Sequence, residues 1–215
     1  MSGHADASAA GGGAGARTDA EVIGASIDDP AAFWSLFQRH YDPIFAFIAR
    51  RLGPDAADDL ATDVFLTAFT LRARYDQRHA EARPWLFGIA ANMVRRHRRA
   101  ETRRLRAYAR HARRAGVAHE DDGVERLDGL AAAPQLAKAL ASMTTGQRDV
   151  LLLIAWAELT PEEVARALHI PPGTVRSRLS RARARARLQL RKAMPDDDTD
   201  APEHVREAVQ WTTSS

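Results

Sequence analysis

Cysteine is absent from all 215 residues of the chain. This absence excludes disulfide bonds, cysteine-based zinc sites and cysteine nucleophiles. Long apolar runs are lacking as well: the longest, 150–157, is much shorter than the roughly 20 residues that span a bilayer. Residues 1–20 are polar, small and glycine-rich, without the apolar segment of a secretory signal. We therefore expect a cytoplasmic protein with no membrane span.

Lysine is scarce, and arginine supplies nearly all of the positive charge. Only Lys138 and Lys192 are lysines, and the formal net charge of +3 hides an uneven distribution. Basic residues crowd into 95–114 and 176–192, whereas acidic residues dominate 120–128. Local basic stripes mark nucleic-acid binding better than net charge does. The two basic stretches therefore indicate contact with nucleic acid.

The segment 159–187 is typical of two short helices joined by a tight turn. Thr160 is a favourable N-cap, Glu163 completes a capping box with it, and Pro171 marks the break before the second helix. Arginines occupy the outward faces of that second helix, and its apolar residues recur at i, i+4, i+7 and i+11, namely Val175, Leu179, Ala182 and Ala186. Such a helix fits the major groove, where guanidinium groups suit phosphates and guanine edges. A basic helix that only packs on a neighbour is the alternative.

Apolar residues recur at helical spacing through two long stretches, and no segment alternates strongly enough to require a strand. The predicted fold is all-α, with two small helical modules, a flexible linker and the helix-turn-helix in the second module. The expected boundaries are a disordered extension at 1–27, a first module at 28–102, a linker at 103–133, a second module at 134–192 and an acidic, mobile tail at 193–215.

Four segments carry a resemblance to a known family: 59–69, 84–92, 147–153 and 172–183. Their order and spacing resemble those of the extracytoplasmic-function (group 4) sigma factors of the sigma-70 family, which are bacterial transcription initiation factors. The resemblance covers about 31–100 and 135–190. It implies a protein that binds core RNA polymerase, recognises −35 and −10 promoter elements and promotes initiation. No cofactor and no covalent chemistry of its own are implied.

The resemblance implies that the first module is sigma region 2, which grips the polymerase. The matching residues are Asp58, Asp59, Asp63 and Phe65, of which the carboxylates would meet basic partner residues. Phe65 is expected to be an apolar anchor beside those exposed acids. A metal site at Asp59 and Asp63 is an alternative that needs further oxygen ligands, and a solvated acidic face is the commoner outcome.

The −10 contacts are implied on the helix that Pro84 opens. Asn92 matches a family position that contacts the −10 strand, and an amide can both donate to and accept from a base edge. A plain surface asparagine is the alternative. Arg95, Arg96, Arg98 and Arg99 are expected on backbone phosphates, which position the protein without specifying sequence. Many relatives carry aspartate where this chain has Arg96, so any role of that acid is absent here.

The −35 contacts are implied on the second helix of the helix-turn-helix, in sigma region 4. Arg176, Ser177 and Arg181 match the positions closest to the bases. Thr174 and Arg178 match positions that meet phosphates. These assignments come from the family motif.

The implied partners are core RNA polymerase and promoter DNA, as duplex at −35 and as a single strand at −10. An anti-sigma factor is a common partner in the family, and nothing in this sequence identifies one. One rival is a polymerase-independent helix-turn-helix regulator, which leaves the motifs between 59 and 92 unexplained. The other is a metal-dependent nuclease using Asp58, Asp59 and Asp63, which lacks a convergent His or Glu set.

Overall fold

A computed structural model of the protein describes residues 17–114 and 134–193. Across these residues the chain forms helices and no strand, which confirms the all-α prediction. The α-helices are α1 (Asp19–Asp28), α2 (Trp34–Leu52), α3 (Pro54–Leu71), α4 (Arg83–Arg114), α5 (Pro134–Ala141), α6 (Thr145–Ala155), α7 (Pro161–Leu168) and α8 (Pro172–Ala193), with 3₁₀ turns at Pro30–Phe33 and Arg72–Arg74. We call α1–α4 the first module and α5–α8 the second module.

Helix α1 lies in a segment that was expected to be disordered. The Thr18 hydroxyl accepts a hydrogen bond from the Glu21 N–H at 3.2 Å, and the Glu21 carboxylate accepts one from the Thr18 N–H at 2.7 Å, which makes a capping box. Ile23 is fully buried against the first module. The predicted disorder of 1–27 is therefore wrong from residue 19 onward, because the cap and the buried face order a segment of low hydrophobicity. Residues 1–16 lie outside the described residues.

Asp19 fastens α1 to the rest of the first module. Its buried carboxylate contacts His40 Nε2 at 2.7 Å and accepts hydrogen bonds from Arg39 Nη1 at 3.2 Å and from the Ala82 N–H at 3.0 Å. Burial alone would raise the pKa of Asp19, but the hydrogen bonds from His40, Ala82 and Arg39 outweigh it and lower the pKa. One carboxylate thus connects α1, α2 and the loop before α4.

Helices α2 and α3 form an antiparallel pair that α4 covers. Gly53 ends α2 with a φ of 85°, and Pro54 opens α3 at the first helical position. Phe47 of α2 and Phe87 of α4 meet edge to face, with ring centroids 5.3 Å apart. The apolar residues of the three helices therefore share one core.

Helix α4 runs to Arg114, well beyond the predicted end of the first module at 102. No glycine or proline occurs between 89 and 115, and arginine is a good helix former. The predicted linker of 103–133 therefore begins too early, because loss of apolar periodicity does not end a helix. Residues 115–133 lie outside the described residues, as does the predicted tail beyond 193.

The second module contains the predicted helix-turn-helix. Thr160 and Glu163 form the expected capping box at the start of α7, and His169 ends that helix in the left-handed conformation with φ 52°. On α8, Val175, Ala182 and Ala186 are buried in the core. The expected apolar stripe of the second helix is thus present, and it faces α6 and α7.

The two modules pack against each other. Helix α4 lies along α7 and also touches α6, so that one continuous apolar cluster runs through both modules. Gly88 permits this approach, because a Cβ added there would lie 2.4 Å from the Ala167 carbonyl oxygen. The sequence prediction did not include this contact, since helical periodicity marks an apolar face without naming its partner.

Candidate nucleic-acid interface

The outward face of α8 carries the residues expected to read DNA. Arg176, Ser177 and Arg181 are all exposed, on the side opposite the buried Val175 and Ala182. An exposed helix face with guanidinium groups is the arrangement that major-groove binding requires. The structure brings the three predicted base-reading residues together on one accessible surface.

The two residues expected on phosphates are less open. Thr174 and Arg178 are half-buried, and the Ser177 hydroxyl donates to the Thr174 carbonyl at 3.1 Å. The Arg178 guanidinium packs against the start of α6, where a Cβ added to Gly146 would lie 3.0 Å from Nη1. Arg178 is therefore held at the edge of the α8 face, next to the N-terminus of α6.

Helix α4 carries the residues expected to meet the −10 strand. Asn92, Arg96 and Arg99 are exposed at i, i+4 and i+7, so they share one face of the helix. Arg95 differs, because it is half-buried and its Nη1 lies 3.5 Å from Asp149 Oδ2 of the second module. Three of the five predicted residues therefore lie together in solvent, and Arg95 is turned toward α6. Arg98, which was expected on a phosphate, is buried at 7% exposure.

A cavity of about 240 Å³ opens where α4 passes α2 and α6. Its floor is formed by Arg51, Arg98 and Arg148, which are 1%, 7% and 2% exposed. Arg148 donates from Nε to the Leu140 carbonyl at 2.8 Å and from Nη2 to the Met143 carbonyl at 3.1 Å. Arg148 thereby bonds to backbone carbonyls at the end of α5 and in the turn that follows. We call this feature the arginine cavity.

The rim of the arginine cavity is open to solvent. It is formed by the half-buried Arg95 and by the exposed Arg99, Thr102, Arg103 and Thr145. Sequence reasoning placed some of these arginines on DNA phosphates and missed the cavity. No local pattern marks it, because its residues come from α2, α4 and α6, far apart in the chain.

An acidic face lies on α3. Asp58, Asp59 and Asp63 are exposed along one side of the helix, as the sequence predicted. The Tyr41 hydroxyl donates to Asp58 Oδ1 at 2.6 Å, and this hydrogen bond, with burial, raises the pKa of Tyr41. Among the residues that the structure describes, no three His, Asp or Glu side chains group as they would around a metal ion.

The expectation that Phe65 is an exposed anchor is wrong. Phe65 is only 4% exposed and packs on Phe37 and Tyr41, with ring centroids 4.9 and 6.1 Å away. The next residue, Leu66, is 60% exposed and follows Asp59 and Asp63 on the same side of α3. A helix turns by about 100° per residue, so a one-position error in the predicted face exchanges a buried residue for an exposed one.

None of the described helices is long and apolar enough to cross a bilayer.

Both modules of the chain are similar to known proteins. Residues 36–104 match the family model of Sigma-70 region 2, and residues 134–185 match that of Sigma-70, region 4. The ECF RNA polymerase sigma factor SigC of Mycobacterium tuberculosis (strain CDC 1551 / Oshkosh) is 34% identical over 156 residues, which cover 73% of this chain and 80% of SigC. RNA polymerase sigma factor HrpL of Pseudomonas syringae pv. syringae is 32% identical over 152 residues, which cover 67% of this chain and 79% of HrpL.

Two solved structures have a similar fold. The structure of CnrH in complex with the cytosolic domain of CnrY has a TM-score of 0.58 at 24% identity, covering 82% of this chain and 99% of that one. The sigma factor RpoE of Bartonella quintana, in complex with the anti-sigma factor NepR, has a TM-score of 0.50 at 24% identity, covering 77% of this chain and 98% of that one.

The match to region 2 accounts for the first module, which a polymerase-independent regulator would leave unexplained, so that alternative is not favoured. Both halves of the family architecture are present in one chain, in the expected order. The chain therefore belongs to the sigma-70 family, as an RNA polymerase sigma factor of the extracytoplasmic-function group.

Proposed function

We propose that this sigma factor contacts promoter DNA through two exposed helix faces, one on each module. The α8 face with Arg176, Ser177 and Arg181 reads the −35 duplex. The α4 face with Asn92 and Arg96 meets the separated −10 strand. The observation that carries the proposal is the exposure of these polar residues on helices whose opposite sides are buried. Base edges and phosphates need donors that are free to reach them.

The acidic face of α3 is the proposed contact with core polymerase. Asp59 and Asp63 offer carboxylates to basic partner residues, and Leu66 takes the role of apolar anchor that the sequence assigned to Phe65. The support is the 60% exposure of Leu66 beside two exposed acids. An exposed apolar side chain next to charged residues is typical of a protein–protein contact.

Promoter binding requires the two modules to separate. Elements at −10 and −35 lie about 25 base pairs apart, which is about 85 Å of duplex at about 3.4 Å per base pair. A compact unit of this size has a radius of gyration of about 15 Å and is roughly 40 Å across. The packed arrangement of α4 on α6 and α7 is therefore proposed to be a closed state that opens on the polymerase.

The proposal also includes a protein partner other than the polymerase. The RpoE structure with a similar fold contains an anti-sigma factor, NepR, and we include a partner of this class in the proposal. The protein acts in the cytoplasm, with the polymerase, and catalyses no covalent step itself. Core polymerase carries out the RNA synthesis.

The test is run-off transcription with purified core polymerase on a library of genomic fragments. The expected result is transcription from a defined set of start sites that share −35 and −10 sequences, and none without the factor. A gel-shift titration of the same fragments without polymerase is the control. Tight, specific binding of duplex by the factor alone, with no run-off product, would show a polymerase-independent regulator instead.

A further inference from the structure

The arginine cavity has a composition unlike a general ligand pocket. Every described residue that lines it is an arginine or a threonine. Guanidinium groups donate hydrogen bonds and cannot accept them, and the described lining includes no apolar side chain that could hold a base or a hydrocarbon. The chemistry of the lining therefore selects a ligand that is rich in acceptor oxygens and negatively charged.

The floor contains donors that are not satisfied. Arg51 is 1% exposed, and its Nη2 donates to Asp149 Oδ1 at 2.8 Å. Its Nε and Nη1 find no acceptor among the described residues. Burial lowers the pKa of Arg51, Asp149 partly offsets this, and the neighbouring charges of Arg98 and Arg148 lower the pKa further. An anion in the cavity would supply the missing acceptors and offset that repulsion.

The size of the cavity limits the ligand. Its volume of about 240 Å³ lies below the range of about 300–1,000 Å³ that is usual for drug-sized ligands. One or two phosphate groups fit this space, and the base of a nucleotide would remain outside. The backbone of bound DNA is limited to the rim, because Arg51 and Arg148 lie beneath the surface at the junction of two modules.

We propose that the arginine cavity binds a small phosphate-type polyanion, such as pyrophosphate, and that the bound anion holds the two modules together. The bound anion would hold the modules together because the residues that line the cavity come from both of them. Arg51 and Arg103 belong to the first module, whereas Thr145 and Arg148 belong to the second module. The complete cavity therefore exists only in the closed state, and a ligand that binds one state shifts the population toward it.

If the bound anion keeps the modules closed, it would reduce promoter binding. That effect rests on the proposed function, in which the modules must separate on the polymerase. The binding itself does not. It is measured on the full chain alone, so a failure to bind pyrophosphate leaves the promoter function standing, and a failure of run-off transcription leaves the binding result standing.

The first experiment measures pyrophosphate binding by calorimetry and by the shift in Tm, against sodium chloride at equal ionic strength. The wild type should show a saturable rise in Tm that the chloride control lacks. The double variant R103S/T145V removes one donor from each module and should weaken the apparent affinity about tenfold, the loss expected for a charge-assisted contact. Arg104→Ser is the matched control, because Arg104 is exposed on the same helix and does not line the cavity. It should bind as wild type does.

The second experiment opens the closed state without changing any lining residue. Gly88→Ala places a Cβ against the Ala167 carbonyl, and alanine favours the α4 helix itself, so the module should remain folded by circular dichroism. The variant should lose most of the saturable Tm shift. A fluorescent pair, with one label on each module, should report closing with pyrophosphate in the wild type.

Four outcomes would overturn the proposal. The first is a Tm shift with pyrophosphate no greater than that with sodium chloride, which means general ionic screening only. The second is wild-type affinity in R103S/T145V. The third is unchanged binding by Gly88→Ala when the fluorescent pair shows open modules, which would place the anion on one module alone. A single-stranded oligonucleotide that displaces pyrophosphate at equal phosphate concentration would assign the cavity to DNA backbone instead.

Discussion

Arg51 Nη2 donates a hydrogen bond to Asp149 Oδ1 at 2.8 Å, across 98 positions of sequence and between the two modules. The side chains are 1% and 0% exposed, so the ion pair is fully removed from water. Arg95 approaches the second oxygen of Asp149 at 3.5 Å. One carboxylate on α6 therefore faces two arginines of the first module, and the contact between modules is centred on a buried charge.

The first prediction concerns that carboxylate. Asp149→Ala should lower the free energy of unfolding by about 3–5 kcal/mol, because it leaves the guanidinium of Arg51 buried without its partner. Urea unfolding followed by circular dichroism measures the change. Asp76→Ala breaks an exposed ion pair with Arg78, in which the N–O distance is 2.6 Å, and should have little effect. Equal stability of the Asp149 and Asp76 variants would mean that the buried pair is not formed in solution.

The second prediction concerns the approach of α4 to α7. Gly88→Ala should improve the helix by about 1 kcal/mol in intrinsic propensity yet separate the modules, because its Cβ would lie 2.4 Å from the Ala167 carbonyl oxygen. Small-angle scattering should show a larger radius of gyration. Gly173→Ala is the control, since nothing lies within 4 Å of a Cβ at that position. An unchanged radius in the Gly88 variant would show that the interface adjusts to a methyl group.

The third prediction concerns acid. The lowered pKa of Asp19 in the folded state means that its stabilisation is present above the unfolded value of about 3.9 and is lost as the pH falls through the folded pKa. Asp19→Asn should therefore reduce stability at neutral pH and flatten the loss of stability below about pH 4. Hydrogen exchange in α1 across this range measures it, with the exposed Asp55→Asn as background. A wild-type acid profile in the Asp19 variant would contradict the role of this carboxylate.

The elements that the sequence predicted well are those with local signals. The capping box of Thr160, the proline break at Pro171 and the apolar stripe of α8 all act within a few residues, so their outcome does not depend on the rest of the fold. The capping box at Thr18 is an equally local signal, which the prediction of disorder for 1–27, based on composition, did not use.

The features that the sequence did not predict are set by long-range contacts. Arg51 has an ordinary position near the end of a helix, and only the packing of α6 makes it a buried ion-pair partner. Long-range packing also explains why Leu66 is exposed in place of the expected Phe65. The aromatic side chains of α2 decide which face of α3 is covered. Periodicity fixes spacing along a helix, and its rotation is fixed by the neighbours.

The fourth prediction separates polymerase contact from stability. Asp59→Arg with Leu66→Ala should weaken association with core polymerase, since it reverses a charge and removes an exposed anchor, and the fold should remain intact. Phe65→Ala should instead lower the free energy of unfolding by about 3–5 kcal/mol, because it empties a buried site between Phe37 and Tyr41. Co-purification and thermal unfolding measure the two effects. Normal co-purification of the folded double variant would remove the acidic face of α3 from the proposed contact.

The last prediction separates base reading from anchoring on α8. Arg181 is exposed at the middle of the helix, beside the buried Ala182. Arg191 is also exposed but lies ten residues further on, about 15 Å along the axis at about 1.5 Å per residue, which places it past the groove. Arg181→Ala should cost about 1–3 kcal/mol and relax the preference at one or two −35 base pairs.

Arg191→Ala should weaken binding modestly and equally for all sequences, because at most a phosphate attraction is lost. In vitro transcription on a panel of −35 substitutions, at fixed salt, compares both variants with the wild type. The base-preference profile decides the matter, since a phosphate contact lowers every promoter by the same factor and a base contact does not. A uniform loss for Arg181→Ala would place Arg181 on the backbone and move the reading face of α8 toward Arg176 and Ser177.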